Sequence, residues 1–350
     1  MLNTACLKNK ESLVKEAQIV LNVLKFLLVT LVCLVPIAAL YLGLSMNWPE
    51  AKEKSDETTV GYTAVKKLAA SPSEWRMHND ELLKYGEELI RNTSYYIGFN
   101  GTKMKSTNGL NCQNCHLDGG QKPWGNNYLS VAAKYPQIRK RSGKVTDING
   151  RINGCLQRSL NGLPMDSTVL EMKAMAAYIA WLGQDVPKGK RAEGSKIYPI
   201  EFLDRAADPI AGQAFYESKC ISCHQIDGQG VLSENERSFT YPPLWGPLSY
   251  NDGAGLFRLS KFAGYAKMNM PFGVSHNNPE LTDEESWDLA AYVNSMPRPE
   301  KDKTNDWPNL ADKPIDHPFG PFSDPFPESQ HKYGPFKPIK NWYDKQNTKQ

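Results

Sequence analysis

The sequence predicts an all-α protein: two small helical domains in tandem behind an N-terminal membrane-spanning segment. Three observations predict it. A Cys-x-x-Cys-His pattern occurs at Cys112–His116 and again at Cys220–His224. Each copy is followed by Asp-Gly, at Asp118-Gly119 and Asp227-Gly228, and each sits in the same order of helix, motif, loops and helix. Such self-similarity marks a duplicated unit. Ahead of both copies, Phe26 to Leu44 is a run of 19 residues without a charge.

That run is long enough to cross a bilayer. Residues 1–25 are polar, with Lys8, Lys10, Lys15 and Lys25 against Glu11 and Glu16. Lysines ahead of an apolar span favour a cytoplasmic N-terminus and a translocated body. No Ala-x-Ala cleavage site follows, so residues 26–45 are read as an uncleaved anchor, with a cleaved signal as the alternative. The expected location is the inner membrane, single-pass, with the body on the periplasmic or other extracytoplasmic side. Residues 46–78 form a charged linker.

The first domain is expected over 79–186. Asp80 to Arg91 has helical apolar spacing through Leu82, Leu83, Leu89 and Ile90, with Asn79 or Asp80 as cap. Loops follow the first motif. Asp166-Ser-Thr is expected to open a second helix that runs to Leu182 and stops at Gly183. Residues 187–207 are a crossover. The second domain, 208–297, should begin with a helix over Pro209–Lys219. It should end with one started by Thr282, whose box Glu285 completes. Residues 298–350 are rich in proline and aromatics. They hold too many Phe, Tyr and Trp residues to stay in water, so much of this extension is expected to be extended and packed on the domains.

The chain has 350 residues and a formal net charge of +3. Its charged N-terminal residues supply +2 of that, so no basic domain remains for nucleic acid. Paired cysteines with a following histidine read as covalent haem c attachment. The thiols of Cys112 and Cys115, and of Cys220 and Cys223, would bond the porphyrin, and His116 and His224 would each ligate iron. Two such groups make two class I-like cytochrome c domains. A structural zinc site would need further clustered cysteines, and the sequence offers none.

The remaining ligands must come from elsewhere. For the second haem, Lys267-Met-Asn-Met270-Pro271 lies between His224 and the last helix. Met270 is the first choice, a soft neutral thioether that favours ferrous iron. Met268, Lys267 or His276 are alternatives. For the first haem, Cys155 stands in the corresponding place. It could be an inert buried thiol, with Met165 as ligand instead. Its surroundings favour thiolate: Arg139, Lys140, Arg141, Lys144, Arg151 and Arg158 stand within 139–158 against Asp147. A thiolate-ligated, low-potential haem among arginines suggests redox chemistry on a sulfur oxyanion, whose oxygens arginine forks can hold.

Several stretches together carry a family resemblance: Cys112-Gln-Asn-Cys-His-Leu-Asp118, Arg151-Ile-Asn-Gly-Cys155-Leu-Gln-Arg-Ser159, Tyr241-Pro-Pro-Leu-Trp-Gly246, Asn269-Met-Pro271 and His331-Lys-Tyr-Gly-Pro-Phe336. With them the chain, from about Gly86 to Phe336, resembles the dihaem cytochrome c family of thiosulfate dehydrogenases and tetrathionate reductases. The resemblance implies that His116 and Cys155 ligate an active-site haem. It implies that His224 and commonly a methionine ligate an electron-transfer haem. Some members use a lysine that gives way to methionine, which keeps Lys267 and Met268 in play. It places catalytic roles on Arg141, Arg151 and Ser159 beside Cys155. The implied reaction interconverts thiosulfate and tetrathionate, with a soluble cytochrome or a membrane quinol system as electron partner. A non-catalytic, membrane-anchored dihaem electron carrier is the alternative, and a haem-based sensor of sulfur species is a third.

Overall fold

In the computed structural model the described residues are 80–348, together with Asn22, Leu24, Lys25, Thr59 and Val60. The chain divides into two compact units, Met1–Asp56 and Glu57–Gln350, and the second holds both cysteine motifs. Among the described residues no helix is long and apolar enough to cross a membrane. The anchor expected at 26–45 lies outside them, as do most of residues 1–25 and of the linker 46–78.

Asp80 caps the first helix, α1 (Glu81–Arg91), by accepting from the backbone N–H groups of Leu82 and Leu83 at 3.0 and 3.2 Å. Three long helices complete the frame of the first domain and the start of the second: α2 (Ile148–Arg158), α3 (Leu170–Leu182) and α4 (Pro209–Lys219). In the second domain α5 (Leu259–Asn269) and α6 (Asp283–Ser295) follow, and α7 (Phe336–Asn347) lies in the C-terminal extension. The box at α6 is formed: Glu285 N–H donates to Thr282 Oγ1 at 3.2 Å and Thr282 N–H to Glu285 Oε2 at 2.8 Å. Among the described residues three two-stranded ladders are each only two or three residues long: β1 (Thr59–Val60) with β4 (Arg191–Ala192), β2 (Gln137–Arg139) with β3 (Lys144–Thr146), and β5 (Val231–Leu232) with β6 (Phe239–Tyr241). The molecule is therefore mostly helical, with short hairpins the all-α reading omitted.

Both domains are built the same way. Their first and last helices cross, α1 on α3 and α4 on α6. Each crossing requires a glycine. A Cβ on Gly86 would come within 2.2 Å of the Ala174 carbonyl oxygen, and one on Gly212 within 1.9 Å of the Asp288 carbonyl oxygen. Tyr178 and Tyr292 stand beside the two glycines. One apolar core centres on Leu89, Met172, Met175 and Tyr178, the other on Tyr216, Trp287, Leu289 and Val293.

Three elements differ from the sequence reading. Asp166 does not open α3: its carboxylate is taken by the Thr168 N–H and hydroxyl, both at 2.7 Å, and the helix starts at Leu170. The Cys155 segment is an eleven-residue helix rather than a loop. The C-terminal extension is partly helical, at Glu328–Tyr333 and α7, and its Phe336 and Ile339 join the core of the second domain.

Candidate functional site

A cavity of about 390 Å³ opens in the first domain, and Cys112, Cys115, His116 and Cys155 all line it. Buried polar groups fix the attachment loop. Asn111 N–H donates to the Asn114 side chain at 2.7 Å, Asn111 Oδ1 accepts from Ser94 N–H and hydroxyl at 2.9 and 2.8 Å, and Cys112 N–H donates to Thr93 Oγ1 at 2.9 Å. His116 Nδ1 faces the Asn126 carbonyl, and the ring stacks on Tyr128 with centroids 4.4 Å apart. His224 repeats the arrangement, with Nδ1 2.8 Å from the Pro242 carbonyl. An imidazole that donates from Nδ1 presents its Nε2 lone pair to a metal. Both histidines are buried, and burial lowers the pKa of His224, which favours the neutral form a ligand needs.

Helix α2 brings Cys155 to the cavity. Asp147 caps it by accepting from Gly150 N–H at 2.8 Å. Arg151 and Cys155 are four residues apart, hence on one face, and Arg151 Nη1 lies 2.7 Å from Cys155 Sγ. The cavity thiols differ in acidity. Burial pushes Cys112 and Cys115 up to about 12. Burial also raises Cys155, but the Arg151 charge and a contact with His116 outweigh it and bring that thiol down to about 6. A thiolate is thus favoured at Cys155 alone among the three. Met165, the other candidate, is packed in the first core.

Ser159 lines the same cavity and Arg141 does not. Arg141 turns to the junction between the domains. Its Nη1 donates to the Gly253 carbonyl at 3.1 Å, its backbone carbonyl accepts from Trp307 N–H at 2.6 Å, and its guanidinium lies 5.6 Å from the Trp307 ring centre. Burial lowers its pKa to about 10, and neighbouring Arg158 adds to the effect.

At the second motif, Cys220, Cys223 and His224 share one helical turn, Ile221–His224 and its cap. Burial raises Cys220 to about 11. The candidate distal ligands cluster at the end of α5. Lys267 is engaged elsewhere, in an ion pair with Asp283 at 2.7 Å and a bond to the Leu281 carbonyl at 3.2 Å. Met268 is 5 % exposed yet belongs to neither apolar core, whereas Met270 is half-buried at the helix cap. His276 is half-buried beyond the helix.

Among the described residues six cations line the first cavity (Lys134, Arg139, Arg151, Arg191, Lys196 and Lys261) and no Asp or Glu does. Of these the sequence singled out Arg151 as a site residue and counted Arg139 in the basic stretch. Arg191 and Lys196 lie in the crossover, and Lys261 comes from the second domain, so no local motif could flag them. The donor set fits covalent haem c: paired cysteines on a fixed loop, an oriented histidine, a thiolate and a basic, acid-free wall.

The chain resembles known proteins over both domains. Residues 101–187 match the family model described as SoxA/TsdA, cytochrome c domain, and residues 210–297 match Cytochrome c. The thiosulfate dehydrogenase of Allochromatium vinosum is 39 % identical over 196 residues, covering 55 % of this chain and 71 % of that protein. The thiosulfate dehydrogenase of Psychrobacter arcticus is 38 % identical over 212 residues, 60 % of this chain and 62 % of that one. The solved thiosulfate dehydrogenase (TsdBA) of Marichromatium purpuratum, in its as-isolated form, superposes with a TM-score of 0.57 at 31 % identity, over 63 % of this chain. The match spans 47 % of that solved chain and a little under two thirds of the Psychrobacter protein. With both attachment motifs inside matched cytochrome c domains, the chain belongs to the thiosulfate dehydrogenase family of dihaem c-type cytochromes and carries two covalently bound haem c groups.

Proposed function

We propose that this protein couples two thiosulfates into tetrathionate and passes the two electrons to a partner cytochrome, with the first-domain cavity as the active site. The observation that carries the reading is the Arg151–Cys155 contact at 2.7 Å, in a cavity shared with Cys112, Cys115 and His116. His116 and Cys155 would hold the first haem, and Cys155 would give up that position when it reacts. His224 holds the second, with a methionine from the end of α5. Met270, at the cap of α5 and followed by Pro271, is the methionine we assign, with Met268 as the alternative. Bound haem supplies one-electron acceptors, and two of them match the two electrons of the coupling.

The chain's own groups bind and orient. Arg151 and Ser159 offer donors to sulfonate oxygens beside Cys155, and Arg139 adds charge to the same wall. Arg141 lies outside the wall, committed to the Gly253 carbonyl. When the Cys155 thiolate attacks the outer sulfur of one thiosulfate, an S–S bond forms and two electrons leave, giving a cysteine thiosulfonate. The outer sulfur of a second thiosulfate then displaces Cys155, so tetrathionate departs and the thiolate returns. No proton is consumed. The reverse sequence reduces tetrathionate. The cationic wall supports either dianionic ligand.

The apolar run 26–44 supports an anchored, extracytoplasmic enzyme near respiratory partners, a cytochrome or a quinol system. The test measures thiosulfate oxidation and tetrathionate reduction side by side on full-length wild type and Cys155→Ala, in the membrane fraction. Wild type should turn over in at least one direction and the variant in neither. Wild-type haem reduction by other donors without any thiosulfate turnover would instead make the protein an electron carrier.

A further inference from the structure

The six cations of the first cavity fall into two sets. Three are already partnered. Arg151 donates to Cys155, Arg139 donates to the Tyr135 hydroxyl, and Lys134 donates to the Gly189 carbonyl. The other three, Arg191, Lys196 and Lys261, have no side-chain hydrogen bond or ion pair among the described residues, although they share the wall. They are close enough to one another that Lys196 and Arg191 add to the burial that lowers the Lys261 pKa. The acid that acts on Lys261, Asp316, is hydrogen-bonded to other groups: it accepts from Arg258 Nε at 2.9 Å and from Ser260 N–H at 3.2 Å. Three mutually repelling cations on a cavity wall call for an anion of matching charge.

Lys261 arrives there on a helix of the other domain. On α5, residues 261, 265 and 269 recur every four positions and so share one face. Tyr265, buried, donates its hydroxyl to the Asn114 carbonyl at 2.9 Å, between the two attachment cysteines of the first motif. Asn269, also buried, donates Nδ2 to the Trp124 carbonyl at 3.1 Å. The whole stripe is thus seated on the first domain, and Lys261 reaches into the cavity from a fixed position.

We propose that Arg191, Lys196 and Lys261 form a carboxylate site that takes the two propionates of the first haem, so that α5 of the second domain completes the cofactor site of the first. The charges fit. Two carboxylates and the Cys155 thiolate offset part of the six cations and leave an excess for a dianionic substrate. The same helix ends at Lys267, Met268 and Met270, so one rigid element touches both haem sites. This inference rests on haem attachment at Cys112 and Cys115, and is independent of thiosulfate chemistry.

The test uses full-length holoprotein carrying Lys261→Met, Lys261→Arg or Lys196→Met, the last at an exposed position that folding tolerates. Resonance Raman spectroscopy of the propionate-bending bands and a redox titration of each haem are the readouts. Lys261→Met should shift the propionate band and lower the potential of the first haem, because a positive charge facing two carboxylates is lost. The second haem should keep its potential. Lys261→Arg should restore both signals, and Lys196→Met should give a smaller shift of the same sign. An unchanged propionate band and potential in both methionine variants would overturn the proposal. So would a raised KM for thiosulfate with both signals unmoved, which would hand the three cations to substrate. Wild-type protein with haem at Cys220 and Cys223 alone would instead overturn the haem assignment, a separate failure.

Discussion

Arg141 and Arg151 stand ten residues apart in the sequence, and the folded chain gives them different surroundings. Arg151 faces the cavity and holds its guanidinium against Cys155, so its charge favours the thiolate and its remaining N–H groups can meet an oxyanion. Arg141 is committed to the Gly253 carbonyl and the Trp307 ring. Substituting each by glutamine should separate the two. Arg151→Gln should lower kcat/KM for thiosulfate by about 100-fold, the cost of losing one oriented oxyanion donor, with little change in melting. Arg141→Gln should leave kcat/KM near wild type and lower stability by about 1.5–3 kcal/mol, the scale of a lost bond to a charged group. Kinetics and denaturant melts on the two variants decide it. Loss of turnover in Arg141→Gln at unchanged stability would put Arg141 on the substrate.

Helix α2 is the element that brings Cys155 and Arg151 to the first-domain cavity, and it is poorly written in the sequence. Gly150, Gly154, Asn149 and Asn153 all weaken a helix, which is why 147–162 reads as a loop. Tertiary contacts compensate. Asp147 caps the start, and Asn153 pairs with the Met165 backbone, donating to its carbonyl at 2.9 Å and accepting from its N–H at 2.8 Å. At Gly154 a Cβ would meet nothing within 4 Å, and the backbone there has no positive φ. Gly154→Ala should therefore stabilise the protein by about 0.5–1 kcal/mol, read as a higher denaturant midpoint, and leave thiosulfate turnover intact. A lower midpoint would mean that this glycine makes room for a group beside Cys155. Helices α1 and α6 were legible because an N-cap stands ahead of each, Asp80 with apolar spacing behind it and Thr282 with the box that Glu285 completes. The attachment motifs were legible because their chemistry is local. Arg191, Lys196 and Lys261 were not, since only the packing of the crossover and of α5 brings them to the first cavity.

At the scale of the molecule, the C-terminal extension acts as a clasp over the domain junction. Asp306 pairs with Arg158 of α2 at 2.7 Å, Trp307 binds the Arg141 backbone, and Asp316 takes Arg258 and Ser260 at the start of α5. His317 lies among them, buried, beside Trp307 and Phe319. Burial pushes its pKa from the ordinary 6.5 down to about 3, and Lys313, Arg141 and Arg258 add repulsion. The unfolded chain therefore binds a proton at His317 that the folded chain refuses. Stability from this residue is fully present above about pH 6.5 and is lost steadily as pH falls towards about 3. The buried carboxylate of Asp316, whose pKa is lowered on balance although burial opposes it, acts in the same direction but below its unfolded value of 3.8. Between about pH 6.5 and 4 Asp316 contributes little, so buried histidines set the slope, and a substitution at His317 separates it from His224 and His276, which burial also lowers. In His317→Gln, which cannot take the proton, thermal melts across that range should lose much of the wild-type slope, while both haem spectra stay unchanged. An equal slope in the variant would show that the clasp is not what acid opens first, and would move the acid-sensitive step to other groups.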